Sequence, residues 1–250
     1  MPFTLVCFNE SKANATYMLF AALADEHITH VGNDITVPEL NQIIAAYAQK
    51  TALTQFRLEA PSLRRIFLQD MAPVLAGLAI PATMPPIIDL KDNPIPLKAS
   101  EKLNAGLLAD GTADNGTILI WLADGKPTPA FGEIRTVRCT IPTTTTTFGW
   151  TNQALTFTQT LPAGRYAVVG ARVVAANGIA FRFVFIGGSW RPGGLCAVAA
   201  SNRSPSMFRN GKLGQWGEFE FSQPPSIEIL CSAATGAAVV YLDLIQTLAE

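Results

Sequence analysis

Charge is scarce in this 250-residue chain: Asp, Glu, Lys and Arg together make up 15%, against about a quarter in an ordinary globular protein. So few charges leave little for a water-facing surface. Such a chain either encloses a large core or turns part of its surface toward partner subunits. Neither sign dominates. A formal net charge of −1 lacks the basic excess that nonspecific nucleic-acid binding by the whole chain requires. The four cysteines, Cys7, Cys139, Cys196 and Cys231, include no pair at CxxC spacing, which removes the common zinc and redox motifs. They read as buried thiols made in a reducing compartment. No apolar run reaches the ~18 residues of a membrane helix, and the longest, Ala72 to Ile80, contains Pro73. The opening MPFTLVCFNESK has no basic stretch before its short apolar run, so no signal peptide is expected.

Chemical motifs are missing as well. The two histidines, His27 and His30, follow Glu26 as Glu-His-x-x-His, which is not the zincin order, and no third ligand is evident. They read as the polar end of a helix. No G-x-S-x-G elbow supplies a serine nucleophile. GGSWRPGG, residues 187–194, has neither the P-loop Lys-Ser/Thr nor the G-x-G-x-x-G order and reads as a turn between strands. Asp89, Asp92, Asp110, Asp114 and Asp124 lie in or beside loops without calcium-loop spacing. No catalytic, cofactor-binding or metal-ligating residue is assigned, no cofactor is expected, and the chain is read as a non-enzyme.

What is present falls into two textures. The first fifty residues suggest helices. SKANATYMLFAALADEH places Tyr17, Leu19, Phe20 and Leu23 roughly on one side after Ser11. DITVPELNQIIAAYAQK has Thr36 and Glu39 at capping-box spacing, Pro38 in the first turn, and a stripe of Leu40, Ile43, Ile44 and Tyr47. SLRRIFLQDMAPVLAGLA reads as helix or strand, with Pro73 against a continuous helix. PATMPPIIDLKDNPIPLK is proline-rich and irregular.

Beyond residue 100 strands dominate. EKLNAGLLADGTADNGTILIWLADG reads as a hairpin around DGTADNG. In the second half Val137, Cys139 and Ile141 alternate with Arg138 and Thr140, Phe181, Phe183 and Phe185 with Arg182 and Val184, and Phe219 and Phe221 with Glu218 and Glu220. The uncharged run Thr143 to Thr147 suits an exposed or edge strand. Turns are expected at Asn177-Gly178 and Thr235-Gly236. Short strands at this spacing mean a sandwich or barrel.

One hairpin plan occurs twice. SEKLNAGLLADGTADNGTILIWLAD and PSIEILCSAATGAAVVYLDLI both cross small residues and a glycine turn. Each returns on an aliphatic–aromatic–leucine strand, at Trp121 and at Tyr241, 120 residues apart. That period is too long for a solenoid and suits a duplicated domain.

This repeat, the roughly eight strands from Arg135 to Gln246, and the stretches LPAGRYAVVGARVV and SWRPGG resemble viral capsid proteins of the jelly-roll type. The nearest pattern is the double jelly-roll major capsid proteins of tailless icosahedral phages. The resemblance implies a mainly β fold of tandem jelly-roll sandwiches with helical insertions in the N-terminal half: residues 1–130 as an N-terminal sandwich with helical segments, 131–250 as a C-terminal jelly roll. It implies a self-assembling shell subunit found in the virion and made in the host cytoplasm. The partners implied are further copies in a homotrimer and other virion proteins, with contact to nucleic acid or an internal membrane left open. The family supplies no catalytic residues. The segment Thr36 to Gln49 is expected to serve as an arm toward a neighbour. The alternative is a carbohydrate-binding or attachment module, with Trp150, Trp190 and Trp216 available to stack sugars. Arg165, Arg172, Arg182, Arg191, Arg203 and Arg209 give the second half a mild basic bias.

Overall fold

A computed structural model describes residues 2–25, 27–64, 69–71, 75–76, 87–142 and 146–249, and its regular structure is almost all β-strand. The described chain divides into two compact units. One lies between Thr4 and Lys126; the other begins at Pro127 and also takes in Phe3. In chain order the first carries β1 (Phe3–Lys12), β2 (Met18–Phe20), β3 (His30–Val31), β4 (Asp34–Thr36), β5 (Gln42–Lys50) and β6 (Gln55–Glu59). A short helix, α1 (Pro61–Arg64), and β7 (Gln69–Met71), β8 (Leu75–Ala76), β9 (Ile88–Asp89), β10 (Ile95–Pro96), β11 (Lys102–Leu108) and β12 (Asp114–Ala123) complete it. The second carries β13 (Arg135–Ile141), β14 (Trp150–Ala154), β15 (Thr156–Phe157), β16 (Gly164–Val174) and β17 (Gly178–Val184). It continues with β18 (Gly193–Leu195), a 3₁₀ turn at Ser206–Phe208, β19 (Gly217–Glu220), β20 (Ser226–Cys231) and β21 (Ala238–Ala249).

The same strand order appears in both units. In the N-terminal unit one sheet runs β1-β12-β5-β10, with β8 and β9 also on β5, and the other runs β3-β4-β11-β6-β7, with β2 on β11. In the C-terminal unit the sheets run β15-β13-β21-β16-β19 and β14-β20-β17-β18. Take β2 to β4 as one interrupted second strand and β9 with β10 as the sixth, with β8 and β15 as short additions on β5 and β13. Each unit then has one sheet ordered first-eighth-third-sixth and one ordered second-seventh-fourth-fifth. That is the jelly roll, in which the chain's first and last strands are neighbours. The repeated hairpin is strands seven and eight of each roll, β11–β12 and β20–β21.

Alternation builds the C-terminal core. Phe181 and Phe183 on β17 and Ile227 and Ile229 on β20 are buried, while Arg182 lies directly across from Glu228. On β21, Val240, Leu242 and Leu244 face the same interior. Phe208, Leu213 and Trp216, from the connection between β18 and β19, complete that core. Trp216 stacks on Phe181 with ring centroids 6.4 Å apart. Asn177 supplies the positive φ of 62° at the turn into β17, a conformation asparagine tolerates. All four cysteines are free and buried.

In the N-terminal unit Lys50 is fully buried at the end of β5. Its ammonium is satisfied by Asp114 Oδ1 and by the carbonyls of Thr112 at 3.1 Å and Asp114 at 2.9 Å, closing the turn of the β11–β12 hairpin. That turn is Ala109 to Ala113. Asn115-Gly116 falls inside β12, because a Cβ on Gly116 would come within 2.5 Å of Phe20 and 2.8 Å of Leu107 in the facing sheet.

The two N-terminal helices expected from the sequence are not formed. Within Ser11 to His27 the chain finishes β1, forms β2 and turns. Within Asp34 to Lys50 it forms β4 and then β5. The apolar stripe misled because Ile43 to Lys50 are all buried. A strand covered on both faces is continuously apolar and satisfies any periodicity. Helix-favouring Ala45, Ala46 and Ala48 are overridden by antiparallel pairing with β12, from Gln42↔Ala123 to Gln49↔Thr117. Pro38 marks the break between β4 and β5. Ile43 to Gln49 is thus an interior strand and no arm. Only α1 is helical among the described residues of that half. Of the ambiguous segment from Ser62 to Ala79, residues 65–68, 72–74 and 77–79 lie outside the described residues, as do Ile80, 81–86 of the proline-rich stretch and Thr143 to Thr145.

Trp121 and Tyr241 both project from the outward face of the eighth strand, at different heights. Trp121 pairs with Ala45 near the end of β12 and is fully buried. Tyr241 pairs with Arg172 near the start of β21 and is half-buried. The duplication lies in the topology, and the two aromatics are not positional equivalents.

Candidate functional site

The side chains that the sequence offers as candidates for chemistry resolve into structural contacts. His27 and His30 do not share a helix. His30 lies on β3, and His27 sits in a turn with Nε2 2.7 Å from Thr4 Oγ1 and Nδ1 against Asp25 Oδ1. This hydroxyl–imidazole–carboxylate chain has the partners of a catalytic triad. Thr4, however, is fully buried on β1, and the His27 and Asp25 side chains are only 4% and 6% exposed. A substrate carbonyl has no approach to the hydroxyl, so the chain ties Asp25 and His27 to β1. Among the described residues no three His, Cys, Asp or Glu side chains gather as a metal site would require.

The glycine-rich loop connects β17 to β18, the turn between strands that the sequence suggests, and its last two glycines open β18. A Cβ on Gly193 would stand 1.9 Å from Phe181 O, so glycine there serves the pairing of β18 with β17. Arg191 donates to Gly188 O at 3.1 Å. The aspartates are dispersed: Asp89 pairs with Lys91, Asp114 with Lys50, and Asp110 accepts from Thr112 N. Nor do the tryptophans form one platform. Trp216 is core, whereas Trp150 lies on the outward face of its sheet beneath the Arg182 guanidinium, 4.2 Å from its ring centroid.

Two outward features of the C-terminal first-eighth-third-sixth sheet were not read from the sequence. One is a buried ionic node. Asp243 on β21 is 0% exposed. It accepts from Arg209 Nε at 2.6 Å and Nη2 at 2.8 Å, from Asn210 N at 2.9 Å and from Thr136 Oγ1 at 2.8 Å. Burial pushes its pKa up, but the Arg209 bonds, the Asn210 N–H and Thr136 outweigh it and hold the carboxyl below its ordinary value. Gly170 makes room, since a Cβ there would stand 2.7 Å from Asp243 Oδ2. The signal was available: an aspartate inside VVYLDLI breaks an otherwise apolar strand.

The other feature is a row across three strands. Arg138 on β13 pairs with Tyr241, and Tyr241 pairs with Arg172 on β16. The Arg172 guanidinium lies over the tyrosine ring at 6.0 Å and donates to Ala200 O at 2.6 Å and Asn202 O at 2.8 Å.

Apolar side chains also reach the surface of this unit: Phe131 at 87% exposure, Ile186 at 73%, Leu248 at 55%, and Phe221. Phe221 joins Phe157 and Leu161 around an open groove of about 360 Å³.

No family model matches the chain, and no curated protein matches it. Among solved structures it is similar to the crystal structure of the major capsid protein P2 from bacteriophage PM2, at 10% identity over 99% of this chain and 98% of that chain, with a TM-score of 0.26. The jelly-roll assignment above rests on the strand order of each unit.

Proposed function

We propose that this chain is a virion structural protein, a subunit that builds an icosahedral shell by association and not by turnover. The observation that carries the reading is one strand order laid down twice in one chain. Two rolls per chain double the lateral surface each subunit offers to its neighbours. Low charge supports the same reading, as do the exposed Ile186, Phe221, Leu248 and Phe131, which an assembly would bury. Obligate interfaces of roughly 2,000 Å² or more are usual, and closed symmetry keeps such contacts finite. A homotrimer is the unit we expect, resident in the virion alongside other virion proteins.

Electron microscopy of the purified protein, with light scattering to size it, tests this. Trimers or closed particles are the expected outcome. A monomer at high concentration across salt and pH, with measurable sugar binding, would overturn it in favour of an attachment module.

A further inference from the structure

Charge is unevenly divided between the two rolls. Residues 1–126 hold nine Lys and Arg against thirteen Asp and Glu, and residues 127–250 hold nine against six, so the halves carry formal charges of −4 and +3. Within the C-terminal unit every described carboxylate is already engaged. Glu133 pairs with Arg135, Glu218 and Glu220 with Arg165, Glu228 with Arg182, and Asp243 with Arg209. The excess positive charge is therefore left elsewhere, and Arg138 and Arg172 make no ion pair among the described residues. They stand on either side of Tyr241, each on a strand about 4.8 Å from β21. Arg172 is held in place by two loop carbonyls, so little side-chain freedom is lost when an anion meets it. The adjacent row across the same three strands, Thr140, Val239 and Val174, is uncharged and half-buried. In the N-terminal unit Glu39 and Asp124 are exposed and make no ion pair among the described residues.

We infer that the Arg138–Tyr241–Arg172 face receives the acidic N-terminal roll of a second copy of this chain. The contact is heterologous, one roll of one subunit against the other roll of the next, and such contacts close into rings when the rotation permits. Charge complementarity selects this occupant, because the acidic partner the face requires is carried by every copy. The inference rests on the shell-subunit reading and names the surface through which subunits first associate.

The test compares the full chain with Arg138→Glu and Arg138→Lys. Arg138 is exposed, so its replacement leaves the core intact, and an unchanged thermal midpoint confirms this for each variant. Sedimentation and light scattering are read against protein concentration at low and high NaCl. We expect wild-type association to weaken as salt rises, Arg138→Lys to follow wild type, and Arg138→Glu to need at least tenfold more protein to associate. Wild type that associates no better than Arg138→Glu, at any salt, overturns the inference and leaves the shell reading standing. Wild type that never associates overturns both. An oligothymidylate or phosphatidylglycerol vesicles that bind wild type but not Arg138→Glu, with association unaltered, also overturn it and assign the face to a polyanion.

Discussion

Asp243 illustrates how one polar side chain is accommodated inside a sheet. The carboxylate accepts four hydrogen bonds and excludes a Cβ at residue 170. Removing its charge leaves Arg209 beside a neutral amide. Loss of one partner of a buried pair costs about 3–5 kcal/mol, and Arg209 keeps some access to water. Asp243→Asn is therefore expected to lose about 3 kcal/mol in urea unfolding at neutral pH, toward the lower end of that range. The pH dependence follows from the direction of the shift. The folded carboxyl titrates below its unfolded value, so its contribution is complete above the ordinary carboxylate range and is lost as pH falls through the folded pKa. Unfolding measured from neutral to acid pH should show a steeper acid limb for wild type than for Asp243→Asn. Equal slopes would mean that the node does not set acid stability.

At the scale of elements, legibility depended on which faces of a strand are covered. β17 was readable because its two faces differ in chemistry: Phe181 and Phe183 are apolar core, and Arg182, equally buried, pairs with Glu228 on the other face. β13 was readable for the same reason, with Val137 and Cys139 buried and Arg138 exposed. β5 was not. Both its faces are buried, so its apolar residues record no period, and its alanines favour the wrong element. The hairpin of β11 and β12 was recognised, but its turn was placed too late because Asn-Gly more often marks a turn than a close sheet-to-sheet approach. The Asp243 node and the arginine row escaped because both depend on which strands become neighbours, and register across β13, β21 and β16 is not written in any one of them. The register makes a prediction. Phe183→Ala, on the core face of β17, should cost about 3–5 kcal/mol. Val184→Thr, one residue on and half-buried on the other face, should cost less than about 1 kcal/mol. Chemical denaturation of the two variants checks this, and equal losses would shift the strand by one residue.

At the scale of the whole molecule, the chain is one topology used twice with different side chains. The rolls share strand order, yet the N-terminal one carries most of the acidic residues and a buried lysine while the C-terminal one is arginine-rich. Duplicated halves that diverge in charge give the chain two unlike surfaces, as the proposed head-to-tail association of copies requires. The thiols offer a way to watch the two rolls separately. Cys7 lies in the first, and Cys139, Cys196 and Cys231 lie in the second. Burial pushes Cys139 up to about 12 and Cys231 up to about 11, and holds Cys196 well above the ordinary thiol value. The reactive thiolate is thus scarce until a roll opens. Alkylation under native conditions then becomes a clock. Labelling of Cys7 in step with the other three would show that the two rolls open as a single cooperative unit. Labelling at unequal rates would reveal two independent openings, and would identify the roll that gives way first.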